Sequence, residues 1–307
     1  MTLVNETERA APAALIVGAD GLIGEELLRR LRQRGSEVIG TTHGRLGDDA
    51  EVHFDLTDSA AALLNTPALA KLRSEKSWMA FLVAAVTGYQ RCEQDPIGTR
   101  RVNVTNSINL AAELLKFTRF LVYPSSSAVF GGTRGPHQES ASPSVTSEYG
   151  RQKADAERGM LGLIGEESCR GGVAVARLTK VIAARGMVGK WIVALRSGGV
   201  IEAATDLLLC PISSSFAANG LIEIAATGRS GIYHLSGERL MSYFEFAIGL
   251  AEALQVARSQ VRPIKIGSMK LAEFTTGVAL EMAETRKHTS LTPQALDSVL
   301  LDLVSSR

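Results

Sequence analysis

Short apolar runs alternate with amphipathic stretches through the first half of the chain. Ala13–Val17 reads as a buried strand, and Gly21–Arg34 carries Leu22, Ile23, Leu27, Leu28 and Leu31 on one helical stripe. Glu37–Thr41 and Val52–Phe54 predict two more strands, the second ending in the turn Asp55-Leu56-Thr57-Asp58. Trp78–Val86 is continuously apolar, as a strand covered on both faces must be. A long helix is predicted from about Gly98 to Phe117, then a strand at Arg119–Tyr123, a helix at Tyr149–Leu163 and a strand at Gly172–Leu178. This succession predicts an α/β fold, a doubly wound parallel sheet (Rossmann fold) with right-handed crossovers.

After Thr179 the periodicity weakens. Trp191–Leu195 is apolar, Pro211 and Ser213–Ser215 suggest a loop, a helix lies near Phe216–Ala226, and Gly231–Leu235 reads as one more strand. Ser242 is placed to cap a helix over Ser242–Leu254, and Ser268–Glu284 and Pro293–Val304 close the chain. The expected organisation is a dinucleotide-binding domain over residues 1–178, to whose sheet the 231–235 strand returns. Residues 179–307 are expected to form mainly a smaller substrate-binding lobe.

Composition narrows the classes of function. The 307 residues carry 33 Lys+Arg against 32 Asp+Glu, a net charge of +1, which is not the basic excess of a nucleic-acid binder. With 45% hydrophobic residues the chain can bury a core. Cys92, Cys169 and Cys210 are widely separated and the histidines lack metal-ligand spacing, so neither a disulfide framework nor a metal is expected. No apolar stretch is long enough to span a bilayer, and the N-terminus lacks a signal-peptide pattern. A cytoplasmic protein with no membrane partner is the expectation.

Chemistry enters directly after the first strand. Gly18-Ala-Asp20-Gly21-Leu22-Ile23-Gly24 is a G-x-x-G-x-x-G turn opening into a helix. Glycines there permit a tight turn and a close approach of pyrophosphate, and the helix N-terminus offers free N–H groups to it. An acidic residue usually ends the second strand where NAD is bound, to hold the ribose 2′-OH. Here the chain reads Thr41-Thr42-His43-Gly44-Arg45. Arg45, helped by Thr41, Thr42 or His43, is suited to a 2′-phosphate, which favours NADP(H) over NAD(H). Asp55 is a candidate for the adenine.

Tyr149 and Lys153 lie four residues apart on one helical face. Upstream, Ser125-Ser126-Ser127 falls at the C-terminal end of a strand, where doubly wound sheets bind ligands. A free tyrosine has a pKa near 10, so acid–base work at neutral pH calls for a neighbouring cation such as Lys153.

The glycine turn, the Asp55–Asp58 turn, the Ser125–Gly131 segment and Tyr149/Lys153 together resemble the extended short-chain dehydrogenase/reductases that act on nucleotide-activated sugars. The Ala84–Pro96 segment, Arg101-Val-Asn103, Val129-Phe-Gly-Gly, Gly231–Leu235 and Ser242–Phe246 are similar to the dTDP-4-dehydrorhamnose reductase branch. The resemblance implies catalysis by Ser126, Tyr149 and Lys153. It implies a cofactor site of Gly18, Asp20, Gly21, Leu22, Ile23, Gly24, Thr42, His43, Arg45, Asp55, Leu56, Ala84, Ala85 and Thr87, with Tyr149 and Lys153. It also implies a buried role for Asn103, and it is compatible with a homodimer.

Two departures refine this. The sugar dehydratases of the family carry an Asp-Glu pair where this chain has Ser127 and Ala128, and the GDP-fucose epimerase-reductases place a cysteine where it has Ala128. What remains needs only a hydride and one proton. The expected activity is reduction of a nucleotide-linked 4-keto sugar. The alternatives are a 4-epimerase with retained NAD and a non-catalytic, NAD(P)-binding regulatory subunit of the same fold. Lys180, Trp191, Arg196 and Arg229 are candidates for substrate contact among which sequence does not choose.

Overall fold

The computed structural model describes residues 12–44, 52–74, 78–131, 135–266 and 277–305. Among them a seven-stranded sheet is built from β1 (Ala13–Val17), β2 (Val38–Thr42), β3 (Val52–His53), β4 (Trp78–Leu82), β5 (Phe120–Ser126), β6 (Gly172–Leu178) and, after an excursion, a strand at Gly231–Leu235. The spatial order places that last strand beside β6, followed by β5, β4, β1, β2 and β3, and every pairing is parallel. The reversal between β1 and β4 makes the crevice at their C-terminal ends the expected ligand site.

The connections are helical. α1 (Leu22–Gln33) buries Leu27, Leu28 and Leu31 on the sheet, as its apolar stripe predicts. Two short helices, α2 (Ala60–Leu64) and α3 (Pro67–Ser74), lead to β4. The apolar run from Trp78 stops being a strand at Leu82: Val83 and Ala84 both donate to the Val17 carbonyl and the chain turns into the cleft. Between β4 and β5 the expected single helix is instead α4 (Tyr89–Gln94), α5 (Pro96–Arg100), a π-helical turn at Arg101–Asn106 and α6 (Ser107–Leu115). Asp95 caps α5 by accepting from Gly98 N–H at 2.9 Å, with Pro96 as first residue, so helix begins earlier than periodicity indicated.

α7 (Glu148–Gly162) leads to β6 and packs on one face of the sheet. Beyond β6 lie β7 (Lys180–Ile182), α8 (Gly186–Arg196), β8 (Ile201–Ala204), β9 (Leu208–Leu209) and β10 (Pro211–Ser213). In the segment expected to be a loop, Pro211 and Ser213 lie in a strand, because Pro211–Ser213 pairs with β7 in parallel register, and Ser214 and Ser215 open the next helix. Ser213 then caps α9 (Ser214–Thr227), its hydroxyl accepting from Phe216 N–H at 3.0 Å. α9 covers the other face of the sheet alongside α1.

The chain returns as β11 (Gly231–Leu235) and leaves through β12 (Met241–Ser242), α10 (Tyr243–Ala253), β13 (Val261–Ile264), α11 (Ala283–His288) and α12 (Leu296–Ser305). Ser242 and Glu245 form a complete capping box at α10. A separate apolar cluster of α8, α10, α12 and the short strands β8, β9, β12 and β13 makes a core away from the main sheet. Of the expected closing segment Ser268–Glu284, residues 268–276 lie outside the described ones. Among the described residues no helix is long and apolar enough to cross a membrane.

Candidate active site

A cleft of about 500 Å³ opens at the C-terminal ends of β1, β4, β5 and β6. Its first wall is the glycine turn. Gly18 has φ +92, and a Cβ there would meet Ala84 at 2.9 Å, so only glycine lets β1 run this close to the β4 exit. At Gly24 a Cβ would lie 2.1 Å from the Gly18 carbonyl oxygen, which fixes glycine where α1 crosses the turn. Gly21 is the N-cap of α1 and supplies no side chain to it, leaving the first-turn N–H groups of Leu22 and Ile23 without a side-chain cap at the cleft wall. That cradle fits an anionic dinucleotide phosphate.

The structure brings most of the expected cofactor residues together. Gly18, Asp20, Gly21, Leu22, Ile23, Gly24, His43, Ala84, Ala85 and Thr87 all line the cleft. Thr42, Asp55 and Leu56 are not among its lining residues. The Thr42 hydroxyl donates to Asp20 Oδ2 at 2.5 Å and accepts from Gly44 N–H, tying the end of β2 to the glycine turn. Asp55 accepts from Thr57 N–H at 2.7 Å, a bond that holds its carboxyl below the ordinary range, and Leu56 is buried in the core. Arg45 lies outside the described residues.

Ser126, Tyr149 and Lys153 line the same cleft. β5 carries Ser126 to the sheet edge, where its Oγ accepts from Ala128 N–H at 3.2 Å. α7 starts at a Ser147 cap, and Gly150 lets its first turn approach the Ser126 segment: a Cβ there would be 2.4 Å from the Ala128 carbonyl oxygen. Tyr149 lies beside Ser126, whose hydroxyl favours the ionised phenol. Burial raises the Tyr149 pKa well above its usual value, with the nearby Tyr89 adding to the effect and Ser126 opposing it. Lys153 is 4% exposed and donates to the Tyr123 hydroxyl at 3.1 Å and the Pro124 carbonyl at 2.9 Å. Burial brings its ammonium down to about 8, against the field of Glu157, which favours the charged form.

Behind these residues is a polar network that the sequence only partly announced. Asn103 lies in the π-helical turn and is fully buried. Its side chain accepts from Val86 N–H at 2.8 Å and donates to the Val86 carbonyl at 2.9 Å and to Gln152 Oε1 at 2.8 Å. It therefore holds the β4 exit against α7. Gln152 has no signal of its own in the sequence beyond lying between Tyr149 and Lys153. Of the four candidates for substrate contact, only Lys180 lines the cleft, where partial loss of solvent around its exposed side chain lowers its pKa. Trp191 instead packs edge-on to Tyr243 with ring centres 6.5 Å apart, and Arg196 donates to the Val304 carbonyl. Arg229 is exposed and also lies outside the cleft lining. Tyr89 and Tyr243, not singled out as binding residues, also line the cleft. Among the described residues no group of His, Cys, Asp and Glu side chains is placed to hold a metal.

Fold and cleft together define an extended short-chain dehydrogenase/reductase, a class of NAD(P)-dependent oxidoreductases. Residues 13–295 match the RmlD substrate binding domain, and the chain belongs to that family, the dTDP-4-dehydrorhamnose reductase family. The probable low-salt glycan biosynthesis reductase Agl14 of Haloferax volcanii is 28% identical over 253 residues, spanning 78% of this chain and 80% of that one. Methionine adenosyltransferase 2 subunit beta of Xenopus tropicalis is 28% identical over 274 residues, spanning 82% and 75%. The solved structure of dTDP-4-dehydrorhamnose reductase from Bacillus anthracis, in complex with NADP, superposes with a TM-score of 0.80 at 19% identity, covering 96% of this chain and all of that one.

Proposed function

We propose that this chain reduces a nucleotide-linked 4-keto sugar with NADPH. The observation that carries the reading is the convergence of Ser126, Tyr149 and Lys153 in one cleft with the uncapped glycine turn. The nicotinamide, when bound, supplies the hydride. The residues of this chain do the rest. Ser126 polarises the keto oxygen, Tyr149 donates a proton to that oxygen, and the Lys153 ammonium stabilises the phenolate left behind. Burial keeps Tyr149 protonated until substrate charge develops beside it. Because Lys153 titrates near 8, turnover falls as pH rises through that value. Lys180, on the cleft wall, is assigned the anionic diphosphate, so Lys180→Ala is expected to raise KM more than it lowers kcat.

NADPH preference is supported by the lack of a carboxylate at the end of β2 and by Arg45 shortly after it. Fluorescence titration with NADPH and NADH tests it: equal affinity, or tighter NADH, removes the role given to Arg45. The activity is tested by offering 4-keto nucleotide sugars and following NADPH oxidation. No oxidation with any of them overturns the reading. A 4-epimerase would consume no added NADPH and would purify with NAD bound, visible in its spectrum. A second reading, a cofactor-binding subunit without turnover, is favoured by the likeness to a methionine adenosyltransferase subunit beta. Saturable NADPH binding with no turnover on the whole panel would select it.

A further inference from the structure

One helical turn beyond Lys153, Glu157 lies beneath the candidate site at 3% exposure, paired with Arg177 at 2%. Both carboxylate oxygens are engaged. Oε1 accepts from the Ser125 hydroxyl and from Arg177 Nε at 3.1 Å, and Oε2 accepts from Arg177 Nη2 at 2.8 Å. Arg177 Nη1 donates in turn to the carbonyls of Glu139 and Ala141, and the guanidinium lies 4.9 Å from the centre of the Phe130 ring. The pair therefore joins β5, α7 and β6, the three elements whose ends bound the site.

A buried ion pair is a poor way to gain stability, because desolvation offsets most of its Coulomb attraction. Its position gives it two other effects. Ser125 is turned into the interior to reach Glu157, and the alternation of a strand then presents Ser126 to the cleft. Glu157 is also the i+4 neighbour of Lys153, on the same helical face.

We propose that Glu157 and Arg177 are positioning residues: together they fix the spacing of Ser126 and Lys153 and set how firmly Lys153 holds its proton. The catalytic meaning of this rests on the reductase reading above. Around Lys153 lie Tyr123 on β5, Glu157 on α7 and Cys92 on α4, and Arg177 on β6 is held against Glu157. Burial raises the pKa of Tyr123 and Cys92 and keeps them neutral, so of these groups Glu157 and its partner Arg177 bring the charge. The two act in opposite directions.

The test is an NMR titration of isotopically labelled lysine in the intact protein, with Lys153 assigned from the spectrum of Lys153→Arg. Glu157→Gln is expected to lower the Lys153 pKa by about one unit, the size of a neighbouring charge effect. Arg177→Met frees the carboxylate from its partner and raises the Lys153 pKa by a similar amount. The double variant returns it close to wild type, and Glu157→Asp, which keeps the charge, leaves it there. In turnover assays the alkaline limb moves the same way in each variant, with kcat falling more than KM changes. A merely structural pair would lower stability in every case without shifts of opposite sign. Lys153 titrations that stay put, or that move in one direction for both single variants, overturn the proposal. If one single variant fails to fold, the sign of the shift in the other decides. Because the titration needs no substrate, a wild-type protein inactive on every keto sugar sinks the reductase reading and leaves this result standing.

Discussion

α7 and α9 are of similar length and cover opposite faces of the same parallel sheet, yet their buried sides differ in kind. α9 buries Ala217, Ala218, Gly220, Leu221, Ile222, Ile224 and Ala225, an apolar surface broken only by the glycine that admits Leu235. α7 buries Tyr149, Gln152, Lys153 and Glu157 along with Ala154, Ala156 and Met160. Desolvating those polar groups is costly unless they are paired, and here Gln152, Lys153 and Glu157 each are. The contrast teaches that of two helices flanking one sheet, one is kept for packing and the other is given up in part to chemistry.

The sharpest way to test the contrast is to remove one atom from the polar helix. Tyr149→Phe is expected to cut turnover by about 10² to 10⁴, the range of a lost general acid, with cofactor affinity and melting temperature close to wild type. Near-wild-type turnover would erase the distinction between the two helices. The reciprocal substitution, Leu221→Ala in α9, should cost about 2 to 5 kcal/mol in denaturant unfolding through the cavity it leaves. Turnover per folded molecule should not change.

A third prediction concerns pH. His234 is fully buried on β11, and burial brings its pKa down to about 3. The folded protein therefore keeps this ring neutral where the unfolded chain protonates it near 6.5. Stability is unaffected by the group above that value and is lost as pH falls from about 6.5 towards 3, with a slope of about 1.4 kcal/mol per pH unit from this one proton. His234→Phe should flatten that part of the curve, and an unchanged slope would show that the ring does not carry it. The smallest effect is expected at α10, outside both sheet faces. Ser242→Ala removes one half of a capping box and should cost about 1 kcal/mol, with no change in the alkaline limb of activity.

Much of this was legible in the sequence, for reasons that are physical. Ala13–Val17, Gly172–Leu178 and Gly231–Leu235 are observed as strands with the boundaries their apolar runs predict, because a sheet covered on both faces admits nothing else there. The glycine turn and the Tyr149/Lys153 spacing were legible because both depend on neighbours close in the chain. The strand from Trp78 looked longer than it is, since Val83, Ala84 and Ala85 are apolar for the sake of the cleft wall and not of the sheet. The π-helical turn at Arg101–Asn106 has no local mark, as it serves a contact between Asn103 and the distant Val86. Glu157 carries no mark in the sequence, because its partner Arg177 arrives from another strand.

The two rims of the main sheet bear on how the protein behaves when crowded with its own copies. At one rim the described part of β3 pairs over two residues, which gives a foreign strand little ordered backbone to follow there. At the other, β11 would present free amide and carbonyl groups were it not for Thr285. That hydroxyl accepts from His234 N–H at 2.9 Å and donates to the His234 carbonyl at 2.8 Å, filling the place a neighbouring strand would take. A single side chain from α11 thus acts as a stopper against edge-to-edge polymerisation, and its loss would be felt first as aggregation in a concentrated solution.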